Sequence, residues 1–211
     1  MRVLVIGATG LLGKVLLEEW TVGDVLRGVG SRDVDIRDQS QLSPLFEQCR
    51  PEWTVLAAAY TDVDGCEKDQ ERAHQVNCAG ALNVARAARD ARSKLLFVST
   101  DYVFDGSKHI PYETEDAVCP INVYGRSKTE AEKSIREILP SCCILRTSWL
   151  FGALGRCFPN TILELARSRK KLRVVADQIG SPTFNRDLAR AIVKLVRADA
   201  KGIIHASNAG E

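Results

Sequence analysis

Short apolar runs alternate with stretches of helical periodicity along almost the whole chain. Residues 3–6 are the kind of fully apolar run a buried strand carries, and residues 11–20 open as a helix directly behind a glycine loop. Residues 25–29 read as a second strand, interrupted by Gly28, residues 40–49 as a short helix and residues 55–59 as a third strand. A long helix is expected over 71–91, with Ala79, Leu82, Ala85 and Ala88 turned toward a sheet. The fourth strand, 95–99, runs into Thr100. A polar stretch containing Pro111 and Pro120 then leads irregularly to a helix over 123–139 and a strand at 142–146. Beyond Trp149 the regularity loosens into a helix at 158–168, a short strand at 172–175, a turn at 178–183, an amphipathic helix at 187–198 and a strand at 203–206.

This alternation predicts the α/β class, a parallel sheet with helices on both faces. Right-handed crossovers then leave the doubly wound Rossmann arrangement. Residues 1–150 are expected to form a dinucleotide-binding domain. Residues 151–211 are expected to form a small, apparently truncated substrate lobe, interleaved with the last helix and strand of the first domain at about 185–206.

Composition alters this little. The 211 residues are 45% hydrophobic and 27% charged, ordinary for a globular protein. With 29 basic and 27 acidic residues the net charge is +2, which points to no polyanionic partner, so neither nucleic acid nor membrane is expected. The basic stretch from Arg167 to Arg173 reads as the solvated C-terminal end of a helix, where cations suit the dipole. Seven cysteines show neither disulfide-framework nor zinc-site spacing, and Cys66, Cys78 and Cys142 read as small core residues. No metal site is expected. With no signal peptide and no membrane-length apolar run, the expected compartment is the reducing cytoplasm. The sequence is silent on oligomeric state, and a homo-oligomer is compatible with it.

Chemistry enters at two places. Gly7, Gly10 and Gly13 follow the first strand at Gly-x-x-Gly-x-x-Gly spacing, with Thr9, Leu11 and Leu12 between them. Gly7 permits a tight turn, Gly10 lets backbone approach a pyrophosphate and Gly13 lets helix and sheet pack closely. Free N–H groups at the helix start then receive phosphate charge. At the end of the second strand Ser31 and Arg32 stand where a 2′-phosphate would sit, favouring NADPH, with NADH possible; Asp35 and Ile36 are expected near the adenine. The second place is Tyr124 and Lys128, one helical turn apart. An ammonium beside a phenol favours the phenolate, lowering a pKa that is about 10 when unperturbed. Such a phenol is suited to pass a proton to a carbonyl oxygen while Thr100, at a strand's carboxyl end, donates a hydrogen bond to it.

The glycine loop, Thr100 and the Tyr124/Lys128 pair resemble the extended short-chain dehydrogenase/reductases, and among these the dTDP-4-dehydrorhamnose reductases. The matching segments are 58–64, 99–106, 120–128, 145–149, 175–183 and the terminal His205, Ala206, Ser207 and Asn208. The resemblance implies reduction of the C4 ketone of a dTDP-deoxysugar, dTDP-4-dehydro-L-rhamnose, with Thr100, Tyr124 and Lys128 in the catalytic positions. It implies that Ala58, Ala59, Tyr60 and Asn77 border the cofactor, with Tyr124 and Lys128 also reaching it. It further implies that Thr61, Asp62, Val63, Asp101, Tyr102 and Val103 line the cleft between nicotinamide and sugar, and that Trp149 packs on the deoxysugar. Members of that family are longer than this chain, the difference falling in the sugar-holding lobe.

Two other readings share these motifs: a non-catalytic regulatory subunit like the β subunit of methionine adenosyltransferase, and a nucleotide-sugar epimerase. The segments 146–149 and 177–183 resemble the reductases rather than the regulatory subunit.

Overall fold

The computed structural model describes residues 1–20, 23–153 and 155–210; Glu211, the expected limit of the lobe, lies outside them. Six parallel strands form the main sheet: β1 (Arg2–Ile6), β2 (Val25–Val29), β3 (Trp53–Leu56), β4 (Lys94–Thr100), β5 (Cys143–Thr147) and β8 (Gly202–His205), in the order β2-β1-β3-β4-β5-β8. The strand order reverses direction at β1, between β2 and β3, and a doubly wound sheet binds ligands at such a switch point. The α/β Rossmann expectation is met.

The sheet is buried on both faces because its strands are apolar at successive positions. Leu4, Ile6, Leu56, Leu95, Phe97 and Ile144 face one side. There they pack on α2 (Gln39–Cys49), α5 (Ala81–Asp90) and α6 (Val123–Ile138), through Phe46, Ala85, Ala88 and Ile135 among others. Val3, Val5, Val55, Leu96 and Leu145 face the other side, covered by α1 (Leu11–Glu19) and α8 (Asn185–Arg197) through Leu12, Leu16, Leu188 and Ile192. The adjacent Cys142 and Cys143 go to opposite sides, one in each core.

Four departures from the sequence expectation matter. Residues 57–59 leave the sheet where a longer third strand was expected, and α3 (Val63–Lys68) follows unanticipated, nucleated by the Asp62 side chain accepting from the Gly65 N–H at 3.1 Å. The long helix expected over 71–91 is α4 (Gln70–His74) and α5 joined by a π-helical turn, Gln75–Gly80. Residues 172–175 form no strand; Val174 and Val175 are exposed. Instead two very short strands, β6 (Leu150–Phe151) and β7 (Thr183–Phe184), pair in parallel as a separate ribbon. Between them lies α7 (Phe158–Ser168), and then α8 and β8 return the chain to the main sheet. No helix among the described residues is long and apolar enough to cross a membrane.

Candidate active site

The glycine loop follows β1 with Gly7 at φ +97°, a backbone conformation a side chain would strain. A Cβ on Gly7 would lie 2.5 Å from the Ala58 nitrogen, and one on Gly13 only 2.2 Å from the Gly7 carbonyl oxygen. Both glycines are therefore demanded by close backbone approach. Gly10 caps α1 without a side-chain hydrogen bond, so no side chain satisfies the first-turn N–H groups of Leu11, Leu12 and Gly13. Leu12 itself is buried in the core, so it can offer a ligand only its backbone.

This loop floors a cleft of about 690 Å³, bordered by Gly7, Thr9, Gly10, Ser31, Ala58 and Tyr60 among others. Ala59, Asp35 and Ile36 also line it, as the sequence leads one to expect, but Arg32 does not. The basic residues in the wall are Arg37 and Arg72. The turn after β2 carries Arg32 outward, while Arg37 returns to the cleft and grips Asp35 with Nε–Oδ1 at 2.9 Å and Nη2–Oδ2 at 2.5 Å. That guanidinium holds the Asp35 carboxyl below the usual carboxylate range. Asp35 is thus an ion-pair partner rather than a free acceptor for a base. Arg72 lies over the Tyr60 ring, 4.4 Å from its centre.

Asn77 does not line the cleft but shapes it. From the π turn its Oδ1 accepts from the Tyr60 N–H at 2.8 Å, and its Nδ2 donates to the Tyr60 carbonyl at 3.0 Å and to Ser127 Oγ at 3.1 Å. One buried amide therefore joins the cleft wall to α6.

Thr100, Tyr124 and Lys128 converge at the carboxyl end of β4. The Thr100 hydroxyl donates to Asp101 Oδ1 at 3.1 Å and accepts from the Tyr102 N–H at 3.2 Å. The Tyr124 ring meets Tyr102 edge-on, centres 5.9 Å apart. Burial pushes the Tyr124 phenol well above its ordinary range, the Asp101 charge pushes the same way, and a hydrogen bond with Thr100 opposes them. The expected lowering by Lys128 is absent from this geometry. The Lys128 ammonium turns beneath the strand, donates to the Val98 carbonyl at 2.8 Å and lies 3.8 Å from the Phe97 ring centre. Burial brings its pKa down to about 7, against the pull of Glu132 one turn on. Desolvation outweighs the pairing that the i,i+4 spacing suggested.

The residues expected around a sugar divide. Thr61 is exposed, and Asp62 is engaged as the cap of α3 and lies 3.6 Å from Arg156. Val63 and Tyr102 pack around Tyr124 and Cys66. Burial raises the Asp101 carboxyl to about 6 and moves the Tyr102 phenol upward too. Val103 is fully buried, so its side chain offers a ligand no surface, contrary to expectation. Trp149 is 39% exposed and adopts a left-handed backbone, φ 44°. Gly180 lies against its indole, and the Thr183 N–H donates to its carbonyl at 3.3 Å.

Sequence reasoning missed Glu132. Its carboxylate, almost fully buried, receives Arg146 Nη2 at 2.7 Å and the Ser99 hydroxyl at 2.5 Å. Arg146 also meets His205 Nε2 at 3.4 Å, while His205 Nδ1 lies 3.2 Å from the Tyr112 carbonyl. That pairing assigns the proton to Nδ1. The i,i+4 spacing of Lys128 and Glu132 was the available signal.

The family model described as RmlD substrate binding domain matches residues 1–211. The chain belongs to this family. A dTDP-4-dehydrorhamnose reductase from Bacillus anthracis, solved in complex with NADP, superposes with a TM-score of 0.94 at 40% identity, covering 99% of this chain and 75% of that one. The spore coat polysaccharide biosynthesis protein SpsK of Bacillus subtilis is 39% identical over 210 residues, 99% of this chain and 74% of SpsK. The dTDP-4-dehydrorhamnose reductase of Aggregatibacter actinomycetemcomitans is 40% identical over 198 residues, 92% of this chain and 67% of its own length. This member of the RmlD family thus spans about three quarters of the length of SpsK.

Proposed function

We propose that this protein reduces the C4 ketone of dTDP-4-dehydro-L-rhamnose, with NADPH as the preferred reductant. The observation that carries the reading is the convergence of Thr100 and Tyr124 beside a cleft whose glycines leave room only for backbone. The cleft fits a dinucleotide. The Gly7 approach and the uncapped first turn of α1 suit a pyrophosphate, and Ser31 with Arg37 suits the adenosine end. When bound, the cofactor supplies the hydride.

The chain's own part is proton delivery and placement. A buried, protonated Tyr124 is a poor acid toward water at neutral pH but donates readily to an oxygen that is becoming an alkoxide, a stronger base than phenolate. Thr100 steadies the growing charge on that oxygen. Lys128, held by Val98, keeps a donor beneath the helix that carries the phenol. Asn77 fixes the Tyr60 backbone and so the position of the wall. Residues 151–184 form the lobe that receives the sugar, with Trp149 at its edge. The same reading places the protein in the cytoplasm, where its free cysteines stay reduced.

Cofactor fluorescence on titration, followed by absorbance on adding dTDP-4-dehydro-L-rhamnose, tests both halves. The expected result is saturable binding and sugar-dependent cofactor oxidation. No binding of NADPH or NADH removes the cofactor assignment. Binding without oxidation removes the reductase assignment.

A further inference from the structure

We propose that His74, Cys78 and Glu130 form a binding site for one borderline-soft divalent cation, zinc by preference, tying the π turn to α6. The three side chains lie outside the cleft and take no part in the chemistry above. Their ligand atoms, one nitrogen, one sulfur and one carboxylate oxygen, all lie within 4.8 Å of one another. His74 Nε2 and Glu130 Oε1 are 3.4 Å apart. Tetrahedral zinc with bonds of about 2.0–2.3 Å needs ligand atoms roughly 3.3–3.8 Å apart, so the cluster must contract only modestly. His74 and Glu130 are solvent-exposed and have the rotamer freedom to close that gap, while buried Cys78 supplies the fixed point.

The donor set selects the ion. A thiolate, an imidazole and one carboxylate suit zinc or cobalt, whereas magnesium and calcium demand oxygen ligands. Three protein ligands leave a fourth position for water. His74 and Cys78 stand four residues apart, one at the end of α4 and one within the π turn, so both present to the same side. Glu130 comes from α6, two residues past Lys128, and lies against the Cys78 thiol. Sequence spacing could show only the His74/Cys78 pair, because the third ligand arrives from 52 residues on, at position 130. Binding expels the thiol proton to solvent, so affinity rises with pH. Occupancy adds a metal-bridged clamp between the segment bearing Asn77 and the helix bearing Ser127, beside the Asn77–Ser127 hydrogen bond and the His74–Glu130 contact that already join them.

The probe is cobalt(II), added to chelator-stripped protein under a non-thiol reductant, with zinc as competitor. A sulfur-to-cobalt charge-transfer band saturating at one equivalent is expected, bleached by zinc. Cys78→Ser should abolish the band, and His74→Ala and Glu130→Gln should each weaken binding at least tenfold. Zinc should raise the Tm of the parent and leave that of His74→Ala unchanged. The exposed positions of His74 and Glu130 keep those two variants folded and the test decisive. Absence of a saturable band, a band that survives Cys78→Ser, or affinity in the His74→Ala and Glu130→Gln variants equal to the parent's would each overturn the site.

Discussion

The two faces of the main sheet and the lobe between β6 and β7 treat apolar residues in opposite ways. In the sheet and its helices nearly every apolar periodicity ends in burial, and the polar groups of the site are pinned by partners within that packing. In the lobe, α7 is amphipathic yet buries none of its residues; Phe158 and Leu163 are exposed, as are Val174, Val175 and Ile179 beyond it. An apolar stripe sets a helix's possible face, but only an opposing surface turns it into stability. The chemistry sits in the first kind of structure and the proposed sugar surface in the second.

The sharpest probe of that division is Tyr124→Phe. It keeps the buried ring and should lower turnover by about 10²–10⁴-fold with thermal stability and cofactor binding nearly unchanged. Undiminished turnover would take the proton from another group. Next comes Glu132→Ala, which strands the buried Arg146 and should cost roughly 3–5 kcal/mol in denaturant unfolding. A loss below about 1 kcal/mol would mean that water reaches the pair.

Asp101 gives a pH-dependent test. Its folded pKa of about 6 lies above the ordinary carboxyl value of 3.8, so between those values the folded state holds a proton that the unfolded state has lost. Stability from this group is therefore fully present below about pH 4 and declines as pH rises through 6. Asp101→Asn should remove the decline and gain on the order of 1–2 kcal/mol at pH 7, unfolding measured across pH 4–8 being the check. A parallel pH profile for parent and variant would remove Asp101 as its source.

The lobe should respond differently. Trp149→Ala is expected to raise KM for the sugar nucleotide about tenfold, with kcat and stability little altered. A change in kcat alone would place the indole nearer the reacting carbon. Smallest of all, Leu163→Ala should shift stability by less than about 0.5 kcal/mol, because its side chain is already solvated. A core-sized loss would show that α7 has a packing partner in solution.

The same contrast explains what was legible in the sequence. β1, β4 and β5 are apolar runs long enough to announce themselves, and Gly7 and Gly13 are forced because a Cβ on either would lie only 2.5 and 2.2 Å from backbone atoms. The strand expected at 172–175 failed because apolar β-branched residues do not make a strand without a neighbour to pair with. α3 was invisible because Asp62 capping and the single buried Cys66, rather than an apolar stripe, specify it. The exchange of Arg32 for Arg37 depends on the path of a turn that no spacing rule supplies. Lys128 was identified as an element of the site, but the direction of its ammonium follows from the Val98 carbonyl, a tertiary neighbour 30 residues away.

Trp149 also turns the division into an optical one. The chain has three tryptophans, and Trp20 and Trp53 are shut in the core. An aqueous quencher therefore meets one indole, and that indole stands at the rim of the lobe. Unlabelled protein carries its own reporter: a sugar nucleotide settling on Trp149 should shield its emission from quenching, while cofactor alone should leave it open. Sugar and cofactor arrival can then be followed separately in a single cuvette.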